Sequence, residues 1–218
     1  MAYINIHTHH KPRLADEYIV RNAYLRLTAS CVSQLKYDVC AAIHPWHVQH
    51  YELHDAIHKL TELAMLPRVV AIGETGIDRS IPTPVHIQQR YFDAQLTVAR
   101  AVQKPVIIHA VRSYSDILPY QKKSKVPFIY HGFRGNIQQA NDIQKHNGYL
   151  SFGTDLFEPT IERVFQSVHN SHFFLETDTA SHIHIEDVYR KAAELKKINR
   201  EELVHIQNSN FAAVFERI

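Results

Sequence analysis

Apolar and polar residues follow two rhythms along this chain. Short apolar or β-branched runs are followed repeatedly by longer stretches whose apolar residues recur at helical spacing. The short runs predict strands at Tyr3–His7, Tyr18–Tyr24, Asp38–His44, Val69–Gly73, Val106–His109, Phe128–His131, Tyr149–Phe152 and Phe173–Glu176. The longer stretches predict helices over Tyr51–Leu66, Pro84–Val102, Ser113–Lys122, Asn136–His146, Pro159–His169, Ile185–Ile198 and Arg200–Arg217. Pro67, Pro105 and Pro127 fall between a helical stretch and the next strand, where a missing N–H ends a helix. The run "HNG" at 146–148 reads as a helix C-terminus with Gly148 in the left-handed position.

Strand-then-helix repetition predicts a parallel sheet. Eight such strands predict an α/β fold, a TIM-like (β/α)8 barrel, as a single domain spanning residues 1–218. One interval breaks the regularity. Only Thr8 through Glu17 separate the first two strands, fewer residues than a parallel crossover normally needs. The barrel is expected to be compressed there, with irregular pairing of the second strand.

Composition narrows the class. Hydrophobic residues are 45% and charged residues 21%, the balance of an ordinary globular protein. No apolar run reaches membrane-spanning length, and no basic segment with an apolar core opens the chain. The expectation is a cytoplasmic protein with no signal peptide and no membrane partner. Cys31 and Cys40 have neither zinc-ribbon nor redox-pair spacing and are expected to be reduced thiols. The net charge of +2 does not by itself point to nucleic acid. Histidine stands apart, with 17 in the chain. His50, His54, His58, His146 and His169 lie in polar helical stretches, so the informative ones are those at strand ends.

His7 and His9 end the first predicted strand, Glu74 the fourth, His109 the fifth, His131 the sixth and Asp178 the eighth. In a barrel all C-terminal strand ends face one mouth, so these distant residues are expected to converge. His7 and His9 are two apart and point to one side of an extended chain, while His10 points to the other. Neutral imidazole and carboxylate together suit zinc, manganese or a similar divalent ion. Four histidines and two carboxylates exceed what one tetrahedral ion needs and suit two ions sharing a bridging carboxylate, with Glu74 as the bridge. Asp178 is the candidate general base. Each residue alone has a plainer reading, such as a packed histidine or an N-capping aspartate. The set carries the inference.

Arg112 and Arg134 each follow a candidate histidine by three residues and are candidate phosphate or carboxylate anchors; pairing with a local acid is the plainer alternative. His44, in "AIHPWH", is placed to touch substrate or to support a ligand. Trp46 and Phe133 are candidates for pocket lining or for packing.

The motifs "IHTHH", "IHPWH", "AIGETGID", "PVIIH", "YHGFRGN" and "LETD", in that order, resemble the TatD-type metal-dependent hydrolases (deoxyribonucleases) of the amidohydrolase superfamily. The resemblance spans essentially the whole chain and is nearest to a compact bacterial branch. It implies a TIM-like barrel in which His7, His9 and Asp178 hold one metal, Glu74 bridges, and His109 and His131 hold the other. It also implies phosphodiester substrates, notably DNA. Three positions depart from the family pattern. Asn5 stands where the family usually has Asp, Ala42 replaces a Gly, and "TDTASHIH" replaces a segment with an early Pro, which adds His182 and His184 near the mouth.

The expected activity is that of a phosphodiesterase or deoxyribonuclease using a metal-activated water, with two divalent ions (Zn, Mn or Mg) and DNA ends or a small phosphodiester as substrate. The modest charge favours short or single-stranded ends over long duplex. The alternative is hydrolysis of a small amide or ester, since fold alone does not choose. A third class, a catalytically idle metal-binding or interaction protein, is disfavoured by the complete ligand set.

Overall fold

The computed structural model of the protein describes residues 2–215. The elements alternate as β1 (Tyr3–Thr8), β2 (Glu17–Asn22), α1 (Ala29–Ser33), β3 (Asp38–Ala41), α2 (Leu53–Ala64), β4 (Val69–Asp78), α3 (Val85–Val102), β5 (Val106–Val111), α4 (Tyr114–Lys123), β6 (Phe128–Tyr130), α5 (Ile137–Lys145), β7 (Tyr149–Phe152), α6 (Pro159–Ser167), β8 (Phe173–Leu175), α7 (Ile185–Lys196) and α8 (Arg200–Phe215). The predicted end of the last helix, Arg217, lies outside the described residues. Among the described residues no helix is long and apolar enough to cross a membrane. The described residues form two compact units, 2–21 with 130–215 and 22–129. Within each unit the strands keep their sequence order.

In the first unit, β1 pairs in parallel with β2, with a register shift between Asn5 and Thr8. The short link between them contains no helix. Arg13 ties it down, its guanidinium donating to the carbonyls of Ala180, Ser181 and Ile183. Asn5 locks β1 further: its amide donates to Glu17 Oε1 at 2.8 Å and to Thr177 Oγ1 at 2.9 Å, and its Oδ1 accepts from the Thr177 N–H. The end of β8 joins β1 through hydrogen bonds from the Thr177 and Asp178 N–H groups to the His7 carbonyl. Tyr189 of α7, fully buried, accepts from the Ile4 N–H at 2.9 Å and donates to the Ile4 carbonyl at 3.1 Å. Burial drives its phenol pKa far above the ordinary value.

The helix terminus at "HNG" differs from expectation. Asn147, not Gly148, takes the left-handed conformation, with φ of 56°. The Gly148 N–H then reaches back to the Ile143 carbonyl at 2.9 Å, closing the helix end, and asparagine tolerates this backbone because its short side chain is polar.

In the second unit, β3, β4 and β5 pair in parallel, with a register shift in β4 between Ile72 and Thr75. Strand β4 is longer than the sequence pattern predicts and runs through Glu74 to Asp78. Glu74 is therefore inside the strand, not at its end. Gly76 pairs with His109 so closely that a Cβ there would fall 2.0 Å from the His109 carbonyl oxygen, so only glycine fits. Two buried glutamines of α3 clamp the strand ends. Gln95 bonds both backbone groups of Ile43, and Gln88 bonds both backbone groups of Asp78.

Candidate metal centre

Each unit brings histidines and carboxylates together. In the first, His7 sits on β1 with no exposed surface and His9 follows the strand. Alternation along the extended backbone turns both toward Asp178: their Nε2 atoms lie 3.5 and 3.3 Å from its Oδ1. Asp178 adopts φ of 46°, and its carbonyl accepts from the His9 N–H, so backbone and side chain are held against the same segment. Burial pushes its carboxyl upward, but hydrogen bonds from His7 and His9 and the charges of His7 and His131 outweigh that, leaving its pKa far below the ordinary value. His131 packs on His7, with ring centroids 4.4 Å apart. Donor atoms of His7, His131 and Asp178 lie within 4.8 Å of one another. The resemblance instead implies His131 in the company of His109.

Glu176, two residues before Asp178, joins this cluster. It is buried, and its Oε1 accepts from the Gly132 N–H at 3.0 Å and lies 3.5 Å from His131 Nδ1. Its Oε2 is buried with no hydrogen-bond partner among the described residues. A buried carboxylate oxygen left without a donor is costly, and a cation or a bound water satisfies it. The residues therefore fit a divalent ion.

In the second unit the centre is Glu74. Its Oε1 lies 2.7 Å from His109 Nδ1 and 3.1 Å from His44 Nε2, and its Oε2 accepts from the Asn22 amide at 2.8 Å. The remaining bonds assign the tautomers. The Trp46 backbone N–H donates to His44 Nδ1, so a neutral His44 carries its proton on Nε2 and donates toward Glu74. His109 Nε2 faces Asp78 Oδ2 at 3.1 Å, which favours a proton there and would leave Nδ1, 2.7 Å from Glu74 Oε1, free to share an ion with that carboxylate. His109 Nδ1 is thus the ring nitrogen that could serve a metal ion, and His44 is a hydrogen-bond donor. Burial pushes the Asp78 carboxyl upward, but bonds from Ser80, Trp46 and His109 prevail and lower its pKa to about 2. Donor atoms of His44, Glu74 and His109 lie within 4.8 Å of one another.

The other candidates separate. Arg134 is committed to Asp155 and Glu158, each at 2.8 Å, the plainer reading of that arginine. Arg112 is exposed, with φ of 53°. His10 bonds the Thr179 carbonyl, and His184 caps α7 in partnership with Asp187. Phe133 is buried against Phe152. Trp46 is 57% exposed. Three buried polar residues escaped the sequence pattern: Asn22, Asp78 and Glu176. Period-two alternation was the available signal, because Asp78 shares a strand face with Glu74 and Gly76, and Glu176 stands two residues from Asp178.

Comparison with known proteins gives the family and the fold. The family model described as TatD related DNase matches residues 21–216. The metal-dependent hydrolase YabD of Bacillus subtilis is 28% identical over 201 residues, 83% of this chain and 79% of that protein. The 3′-5′ ssDNA/RNA exonuclease TatD of Citrobacter rodentium is 32% identical over 115 residues, half of this chain and 43% of that one. Among solved structures, the TatD homologue YjjV of Escherichia coli superposes with a TM-score of 0.85 at 20% identity, covering 98% of both chains. That likeness shows the fold to be a TIM-like (β/α)8 barrel.

Proposed function

The chain belongs to the TatD related DNase family, and on that premise we propose that it is a divalent-metal-dependent phosphodiesterase acting on the ends of nucleic acids. The observation that carries the proposal is the pair of imidazole–carboxylate clusters, each with donor atoms within 4.8 Å. His7, His9, His131 and Asp178 would hold one ion, and Glu74 with His109 a second; zinc, manganese or magnesium suits such donors. When bound, such ions lower the pKa of water and offset charge on phosphoryl oxygens.

The chain's own residues do the rest. Asp178, ionised across the working pH range, accepts the proton of the attacking water. Asp78 fixes the His109 ring through Nε2, and Asn22 holds the second oxygen of Glu74. His44 donates from Nε2 to Glu74 and so positions that carboxylate; it contacts a substrate oxygen only by giving up that bond. Arg112 is the proposed phosphate anchor, since Arg134 engages a phosphate only by giving up Asp155 and Glu158. The alternative of amide or ester hydrolysis is not favoured, because the named activities among the relatives are those of nucleases.

The test is metal content of the purified protein together with rates on 3′-tailed DNA, a bis-aryl phosphate and an aryl ester, each with Mn, Mg or Zn. The expected result is cleavage of both phosphodiesters with metal bound. Ester cleavage without phosphodiester cleavage overturns the proposal.

A further inference from the structure

Trp46 is the chain's one tryptophan, and it is more than half exposed although it lies beside the buried His44–Glu74–His109 cluster. It is not loose. Its indole N–H donates to Asp78 Oδ2 at 2.7 Å, and its backbone N–H donates to His44 Nδ1 at 3.1 Å. Its ring stands nearly perpendicular to those of His44 and His109, with centroids 5.0 and 5.9 Å away. Tyr24 stands edge-on to His44 at 6.1 Å, and the Arg26 guanidinium lies over the Tyr24 ring. A large apolar ring held rigid and left open is prepared to receive a flat partner, because no freedom remains to be lost on binding.

Resting on the phosphodiesterase reading, we propose that Trp46 is a stacking platform for the unpaired nucleobase at the end of a single-stranded nucleic acid. One sugar separates a base from its phosphate, and a single imidazole separates Trp46 from Glu74. Both N–H groups of Trp46 are already committed, so it offers a π-face and no hydrogen-bond readout. Such stacking accepts any base. It also requires an unpaired one, because a base inside a duplex is already stacked on its neighbours. The site is therefore indifferent to base identity and selective for single-stranded or frayed ends.

Two measurements on the metal-loaded enzyme test this. Because Trp46 is the only tryptophan, its emission reports on its own face. Deoxyadenosine 5′-monophosphate is expected to quench it, and deoxyribose 5-phosphate to leave it unchanged. In steady-state cleavage of a short single strand, replacing the terminal base by an abasic residue is expected to raise KM about tenfold in the wild type, within the range of one lost base stack. Trp46→Ala is expected to show equal KM for the two strands. Trp46→Phe keeps a ring but loses the bond to Asp78, so it is expected to retain most of the KM discrimination while kcat falls. Equal quenching by both probes, or an unchanged KM ratio in Trp46→Ala, overturns the platform. A wild-type enzyme that cleaves no strand at all instead overturns the nuclease reading, and the fluorescence result still judges the platform.

Discussion

The Asp178 side chain of the first unit is 42% exposed and meets its histidines directly, whereas the Glu74 side chain of the second unit is 5% exposed and held on both oxygens. Around Glu74 the bracing continues outward: Asp78 holds His109, and Trp46 with Ser80 holds Asp78. Around Asp178 it stops sooner, and the buried Oε2 of Glu176 still lacks a donor among the described residues. Two clusters of the same residue types are thus built for different tasks. The second is closely braced, with both Glu74 oxygens and the His109 ring already held by neighbours. The first keeps an accessible carboxylate suited to exchange with water and substrate.

The largest expected effect separates those tasks. Glu74→Ala is expected to lose bound metal and to lower kcat by about a thousandfold, equivalent to the several kcal/mol a bound ion supplies. Asp178→Asn is expected to lose turnover comparably while keeping much of its metal. Metal analysis alongside rates checks both, and parallel loss of metal in the two variants erases the contrast. Next, Asp78→Asn is expected to cost about 10–100-fold in metal affinity or kcat, as removal of a ligand's support does. Metal titration reads that directly; an unaltered variant means the bracing around His109 is ornamental.

The same contrast extends to two lysines, Lys104 buried and Lys196 half-buried. In the second unit Lys104 donates to three carbonyls, of Ala64, Leu66 and Val69, closing the end of α2. In the first unit Lys196 donates, among the described residues, only to the Val168 carbonyl, and it covers the rings of Phe165 and Phe173. Lys104→Met is expected to destabilise the protein by about 1–3 kcal/mol, because buried acceptors lose their donor. Lys196→Met is expected to cost less, and urea unfolding ranks the two.

The smallest effect is one of pH. Burial lowers the Lys196 pKa to about 8, below its unfolded value of about 10.4. Between these values the unfolded chain binds more protons than the folded one, so this group adds stability as pH rises through that window. Urea midpoints of wild type and Lys196→Met are expected to diverge from pH 8 to 10. Parallel curves mean that the amine is not titrating in its half-buried position.

Most of the fold was legible because strand and helix rhythms differ and prolines mark their borders. Tyr149–Phe152 was read with both ends right, and α3 to within one residue. Pattern and structure part where tertiary contacts override local sequence. Strand β4 runs on through "ETGID", a polar and glycine-containing segment, because its close pairing with β5 accepts residues that no apolar count favours. Helix α1 is too short to leave a periodic signal. At the clusters, strand-end histidines and carboxylates stood out by type. Asn22, Asp78 and Glu176 did not, since their importance lies in which atoms they face. Asn5 illustrates the same limit: its departure from the family pattern is visible in sequence, but its bonds to Glu17 and Thr177 are not.

The discontinuity of the first unit has a consequence for the growing chain. A polypeptide synthesised as far as residue 130 already contains Asn22, His44, Glu74, Asp78 and His109. Of the other cluster it holds only His7 and His9, because His131, Glu176 and Asp178 have yet to be added. One ligand set is written in a continuous stretch, and the other is divided between the start of the chain and its second half. Completing the divided set therefore waits for Asp178, which follows every residue of the other cluster, and a chain cut between the two loses Asp178 while keeping Glu74.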